Sequence, residues 1–224
     1  MSHAPLAKLG GCSLHSPSAS DGVLRVAAYL PTTKANGPGV RASVWVQGCS
    51  RACPGCINEG FQPTHGGRVV APRQMGDAIA ELGGLDGVTV SGGEPFEQAE
   101  AVADLLTPLR DKGLVILVYS GFTLEEISAS KNLGVAHLLT LVDILIDGPF
   151  MERLADGGRW RGSSNQRVLG LTSAGVRQLE NASDDVGVTE VDVTDGNVRA
   201  TGDVGNEDFE RIRDMMSEIY GVTL

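Results

Sequence analysis

The sequence predicts an α/β chain built as an open, partial βα barrel, followed by a C-terminal extension made of a hairpin and a helix. Short apolar runs alternate with amphipathic stretches at least three times, the pattern of parallel βαβ units with right-handed crossovers. Residues 114–119 are apolar without a break, as a parallel strand covered on both faces requires. Too few such units are present to close an eight-fold barrel, so the sheet is expected to stay open.

Taken in order, residues 1–22 mix Ser, Gly, Pro and His without a period and read as a loose extension. Residues 24–30, with Val26 and Tyr29, form a first strand, stopped by Pro31 and the turn formers Asn36-Gly37-Pro38-Gly39. Residues 40–46 alternate as a second strand and empty into a loop carrying Cys49, Cys53 and Cys56. The thiols therefore sit at a strand's carboxyl end, where open α/β sheets place their sites. Thr64-His65-Gly66-Gly67 reads as a turn with His65 as a polar loop residue, and Pro72 opens a helix to about residue 82.

A short buried strand over 87–91 runs into Gly92-Gly93-Glu94-Pro95. The two glycines allow close approach of backbone to a ligand, and Pro95 is pre-set to begin the next helix. That helix spans 96–110, with Phe96, Ala99, Val102, Ala103 and Leu106 on one stripe. After the 114–119 strand come Ser120 and Gly121, then Thr123 with Glu126 three residues on, the signature of a capping box. Residues 141–146 form the next strand, closed by Asp147-Gly148-Pro149, where Asp147 reads equally as a turn former and as a functional group.

The polar cluster 161–167, flanked by Arg161 and Arg167, is expected to be a solvated loop leading into a last or edge strand over 168–171. Residues 189–201 alternate around Asp195-Gly196, a hairpin signal. Asn206 caps a final helix whose Phe209, Ile212, Met216 and Ile219 pack on the core. Trp45 and Trp160 read as packing residues. The expected organisation is an extension over 1–22, a barrel over 23–172 and an appended C-terminal region over 173–224.

At 224 residues the chain is most economically one domain with a proper core. Its formal net charge of -10, with no run of Lys or Arg, makes nucleic acid and anionic membrane surfaces poor partners. No apolar run approaches the roughly 20 residues of a membrane span, and no signal-like apolar region opens the chain. The expected location is the cytoplasm, where thiols stay reduced.

Cys49, Cys53 and Cys56 are spaced C-x3-C-x2-C, so one short loop can fold its sulfurs around a single compact object. A 4Fe-4S cube normally takes four thiolates, one per iron. With three in the loop, one iron is left for a small molecule, which points to chemistry rather than plain electron transfer. Zinc is the competing object: Cys53 and Cys56 could join Cys12 and His15 in a Cys3His site, with Cys49 left out. A disulfide would leave an odd thiol.

Four motifs carry a family resemblance: Val46-Gln47-Gly48-Cys49 through Cys56-Ile57-Asn58, Ser91-Gly92-Gly93-Glu94-Pro95, residues 143–150, and residues 161–167. Together they resemble radical S-adenosylmethionine enzymes, and within them the glycyl radical enzyme activases, specifically the activating proteins of anaerobic ribonucleoside-triphosphate reductases. The match spans residues 36–169. It implies the radical S-adenosylmethionine type of partial barrel, with S-adenosylmethionine chelating the open iron and cleaved reductively to a 5'-deoxyadenosyl radical and methionine.

The resemblance also implies roles for particular residues. The Gly92-Gly93-Glu94 turn would take the methionine amino group, backbone from Gly55 through Cys56 to Ile57 would approach the adenosine, and Ser120 and Asp147 would contact the nucleoside. The implied partners are a flavodoxin or ferredoxin-type electron donor and a glycyl radical enzyme. Where many radical enzymes carry an aromatic before the third cysteine, this chain has Gly55, as the reductase activases do. Short members of that branch end soon after the Asn165-Gln166 motif, and the residues beyond leave the partner's identity open. Alternatives are modification of a peptide or metabolite by the same chemistry, and a non-catalytic zinc or iron-sulfur module.

Overall fold

The computed structural model describes residues 22–182, 188–194 and 197–202, together with Arg211, Asp214 and Met215. Cys12 and His15 of the competing zinc site, the Asp195-Gly196 turn, and the Asn206 cap with its helix stripe lie outside the described residues.

A seven-stranded mixed sheet runs in the order β3-β1-β2-β4-β5-β6-β7. The strands are β1 (Leu24–Thr33), β2 (Arg41–Val46), β3 (Arg68–Val70), β4 (Gly87–Gly92), β5 (Val115–Tyr119), β6 (Ile144–Asp147) and β7 (Arg167–Gly170). Neighbours from β2 through β4 and β5 to β6 are parallel, whereas β1 against β2, β3 against β1, and β7 against β6 are antiparallel. Among the described residues five α-helices complete a mixed α/β fold: α1 (Pro72–Ala80), α2 (Ala99–Asp111), α3 (Leu124–Ser128), α4 (Leu133–Leu141) and α5 (Ser173–Glu180). A separate hairpin pairs β8 (Thr189–Thr194) with β9 (Asn197–Gly202). No described helix is long and apolar enough to cross a membrane.

The period of two along each strand sorts side chains onto two faces. On one face Val44, Val88, Val90, Ile116, Val118 and Leu145 pack with Met75 and Ile79 of α1 and with Leu105, Leu106 and Leu109 of α2. Each such fully buried aliphatic contributes about 2 kcal/mol of transfer free energy. On the opposite face Leu117, Ile144 and Ile146 form a smaller cluster with Tyr119, Trp160, Val168 and Leu179.

That second face also buries a cation. Arg41 is fully inside, and its donors reach Thr89 Oγ1 at 2.8 Å, Pro38 O at 3.0 Å, Gln178 Oε1 at 2.8 Å, Val88 O at 2.8 Å and Val115 O at 2.6 Å. Every guanidinium N–H is thereby matched. Burial pulls its pKa down to about 10, against smaller opposing pulls from Tyr119, Asp86 and Asp143, so it remains charged at neutral pH. Buried Asp143 performs the matching task at the far side, accepting from Arg110 at 2.6 Å, from the Ile116 amide at 2.9 Å and from the Thr172 hydroxyl. A side chain at Gly175 would collide with the Asp143 carbonyl, so a glycine is what lets α5 lie this close to the sheet.

Several boundaries differ from those expected. β1 continues through Pro31 to Thr33, because the ladder to β2 is irregular between Leu30 and Thr33 and β3 pairs only with residues 24–26. The missing N–H of Pro31 therefore costs no regular ladder bond. The 96–110 helix begins as a 3-10 turn over Pro95–Gln98 before α2. The strand expected over 141–146 starts only at Ile144, since residues 133–141 are α4, whose N-cap Asn132 accepts from the Gly134 amide at 2.8 Å. β3 and α5 carry no sequence expectation, and β7, like β3 at the other end, is an antiparallel edge strand.

Thr123 and Glu126 form the full capping box of α3, with Oγ1 accepting from the Glu126 amide at 3.2 Å and the Glu126 carboxylate accepting from the Thr123 amide at 2.7 Å. Thr123→Ala is expected to lower stability by about 1 kcal/mol, read as an earlier urea midpoint at unchanged slope.

Candidate active site

The cysteine loop is closed at its base before it reaches its thiols. Buried Gln47 at the end of β2 donates to Pro63 O at 2.8 Å and Gly60 O at 3.3 Å. Gly48 N and Cys49 N donate to Phe61 O at 2.7 Å and Gln62 O at 2.8 Å. Ser50 is tied to Glu97 through both its amide and its hydroxyl. Within the loop, Cys56 N reaches Cys53 O at 3.3 Å and Glu59 N reaches Cys56 O at 3.2 Å, with left-handed backbone at Ala52 and Gly55.

The turn after β4 lies directly on the turn after β2. Gly93 N donates to Val46 O and Glu94 N to Gly48 O, each at 2.8 Å, and a Cβ on Gly93 would collide with the Gly48 carbonyl. Only glycine allows this approach. Glu94 is buried with its carboxylate fully engaged: Oε1 accepts from Phe96 N and Ser120 Oγ at 3.0 Å each, and Oε2 accepts from Gly121 N at 2.7 Å. Burial pushes its pKa up to about 7, although these three donors and nearby Glu97 pull in opposite directions on the charged form.

A cavity of about 600 Å3 opens where these strand ends meet. Its lining includes Cys49, Cys53, Gly55, Cys56, Ile57, Gly92, Gly93, Glu94 and Ser120. Asp147 is not among the lining residues, though Gly148 is. The Asp147 carboxylate is buried and turned to Arg167, whose Nε donates at 2.9 Å, and to the Leu124 amide at 2.7 Å. Arg167 bridges onward to Glu125 at 2.7 Å. His65 is exposed on its turn.

The 161–167 cluster is more ordered than a solvated loop. Gln166 accepts from Gly162 N at 2.9 Å and Ser163 N at 3.2 Å while donating to Gly148 O at 2.9 Å, and Asn165 donates to Pro149 O at 2.8 Å. The carboxylates facing its arginines belong to this chain, with Arg161 on Asp156 at 2.6 Å and Arg167 on Asp147 and Glu125.

Sequence reasoning passed over other lining residues. Trp45 and Trp160, read as packing residues, both face the cavity, as does Arg51, which stacks on Phe122 at 4.8 Å. The alternation of Trp45 with Val44 and Val46 placed it opposite the core and was the available signal.

All three thiols are free and half-buried. Burial raises the Cys49 pKa, partly countered by the Arg51 and Ala52 amides, and a bound metal would reverse that direction. Among the described residues no three His, Cys, Asp or Glu side chains are grouped to hold a single metal ion. A 4Fe-4S cube gives each thiolate its own iron, and three soft, free sulfurs on one loop at a cavity wall fit that donor set.

A sequence model of the 4Fe-4S single cluster domain family matches residues 35–169, so the chain belongs to that family of iron-sulfur domains. The chain is similar to anaerobic ribonucleoside-triphosphate reductase-activating proteins of several organisms. The one from Salmonella typhi is 32% identical over 155 residues, covering 65% of this chain and 97% of the relative. That of Escherichia coli K12 is 32% identical over 149 residues (62% and 94%), and that of Vibrio cholerae 35% identical over 155 residues (64% and 96%). The chain falls in this activase branch.

Proposed function

We propose that this chain is a radical S-adenosylmethionine enzyme that installs a glycyl radical on an anaerobic ribonucleoside-triphosphate reductase or a related glycyl radical enzyme. The observation that carries this reading is one cavity lined at once by Cys49, Cys53, Cys56, the Gly92-Gly93-Glu94 turn and Ser120. Relatives that bear the name of the reductase's activating proteins support it.

When bound by the three thiolates, a 4Fe-4S cube would leave one iron open to S-adenosylmethionine and supply the electron that splits its sulfonium into methionine and a 5'-deoxyadenosyl radical. The chain's own residues hold the reactant. Bare backbone at Gly92 and Gly93 accepts a close neighbour, and ionised Glu94 balances the methionine ammonium. Ser120 keeps the Glu94 carboxylate aimed, while backbone at Gly55 and Ile57 lies along the adenosine. Asp147 acts through Arg167 to fix the end of β6, and Gly148, the residue after it, lines the cavity.

In this reading residues 23–172 are a partial barrel of the radical S-adenosylmethionine type, and residues 1–22 and 173–224 are additions to it. The protein works in the cytoplasm with a flavodoxin or ferredoxin-type donor. The test is anaerobic reconstitution with iron and sulfide, then assay of 5'-deoxyadenosine under reduction, then addition of a candidate reductase. A doublet glycyl radical signal by electron paramagnetic resonance is expected. About one zinc and no sulfide per chain would overturn the reading, and nucleoside release without a radical on any glycyl enzyme of the host would point to a peptide or metabolite substrate.

A further inference from the structure

The family match ends at residue 169, yet the cavity does not. Ala200, Thr201 and Gly202 of β9 form part of its lining, together with Ala35 and Asn36 from the β1–β2 connection. We propose that the β8–β9 hairpin is a wall of the active-site cavity peculiar to the C-terminal extension, setting how much of a partner reaches the reacting centre and how well small hydrogen-atom donors such as thiols are kept out.

The attachment is specific. Thr201 Oγ1 lies 2.9 Å from Asn36 Nδ2 and 3.0 Å from Asn36 Oδ1, so hydroxyl and amide can each serve as donor or acceptor. Glu190 on β8 accepts from the Lys34 amide at 2.9 Å. Gly202, at φ 113, brings its backbone against Val188 O and Ala35, where a Cβ would collide. Asn36 is itself held from beneath: its carbonyl accepts from Thr89 Oγ1 at 2.7 Å, and Thr89 accepts from Arg41, which also binds Gln178 of α5. One polar chain, Thr201-Asn36-Thr89-Arg41-Gln178, thus ties two separate parts of the extension to the inner face of the sheet. A tail merely resting on the surface would need none of these links.

Because the wall borders the proposed chemistry, the inference rests on that reading, and its test has an independent arm. Thr201→Val, nearly isosteric, removes the Asn36 link, and Glu190→Ala removes the Lys34 link. Losing one such hydrogen bond is expected to raise the population of the unpinned hairpin about fivefold. In the metal-free full chain carrying Trp160→Phe, Trp45 is the sole indole, and both variants are expected to increase its quenching by acrylamide. In the reconstituted protein both are expected to raise 5'-deoxyadenosine released per glycyl radical formed, as the 5'-deoxyadenosyl radical takes its hydrogen atom from a thiol reductant or buffer C–H group entering the cavity instead of from the partner's glycine. Unchanged quenching in both variants overturns the wall. Increased quenching in a chain that never cleaves S-adenosylmethionine retains the wall and overturns the proposed chemistry instead. Increased quenching with an unchanged nucleoside-to-radical ratio overturns the role in controlling access.

Discussion

Exchanging any one of Cys49, Cys53 or Cys56 for alanine is expected to drop bound iron after anaerobic reconstitution from about four per chain to a small residue, and nucleoside release to background. The loop gives a physical reason for so steep a loss. Its base is closed by hydrogen bonds at Gln47, Gly48 and Cys49, and its start is held by Glu97. The remaining two thiols cannot swing to replace a third, and among the described residues no other cysteine lines the cavity. Cys12→Ala and His15→Ala are the discriminating controls. If the centre were a Cys3His zinc site, those two variants would lose metal and Cys49→Ala would keep it. Iron and sulfide analysis with the 5'-deoxyadenosine assay reads all five variants.

The second large effect concerns Glu94 and pH. Its carboxyl titrates near 7 in the folded chain, against an ordinary value of 4.5, chiefly because it is buried. Between those values the folded state holds a proton that the unfolded chain has released, so stability falls as pH rises through this window. The fall amounts to about 3 kcal/mol by pH 8. In the metal-free protein the urea midpoint should therefore decline from pH 5 to pH 8, and the decline should be absent in Glu94→Gln. The amide substitution carries its own cost of about 1 to 3 kcal/mol, because its NH2 group must face the Gly121 N–H or the Ser120 and Phe96 donors. The slope, not the absolute midpoint, is the diagnostic, and an equal decline in both proteins would assign the effect to other groups. A ligand ammonium beside Glu94 favours the ionised form, so S-adenosylhomocysteine binding near pH 6 is expected to release a proton, measurable by calorimetry in buffers of different ionisation enthalpy.

Local signals were read directly from the sequence. The capping box at Thr123 and Glu126, Pro72 at the start of α1, and the apolar 114–119 run that holds β5 each depend on residues a few positions apart. The cysteines were legible as a candidate cluster site because their spacing constrains what they can hold, whereas the Gly92-Gly93-Glu94 turn gained a chemical reading only through the family resemblance. Illegible were features decided by distant partners. β3 is three residues with Arg68 and Val69 exposed, and only its pairing to Leu24–Val26 makes it a strand. Asp147 read equally as a turn former and as a functional group because its partner Arg167 lies 20 residues on. The placement of Ala200–Gly202 at the cavity depends on Asn36, whose link to Thr201 spans 165 residues. α4 was hidden because Gly134, Val135 and Thr140 are poor helix formers and only its Asn132 cap announces it.

Arg41 carries one more consequence, for how the protein is made. As the nascent chain leaves the ribosome, the guanidinium appears 74 residues before Val115 and 137 residues before Gln178. At ordinary synthesis rates the second interval lasts on the order of ten seconds. Once Val115 has emerged, one of the guanidinium's five N–H groups, the one that Gln178 later matches, still cannot be buried without losing hydration that nothing yet replaces. The inner side of the emerging β2 must therefore stay partly wet until Gln178 has been made, and the opposite side, needing only α1 and α2, is free to collapse first.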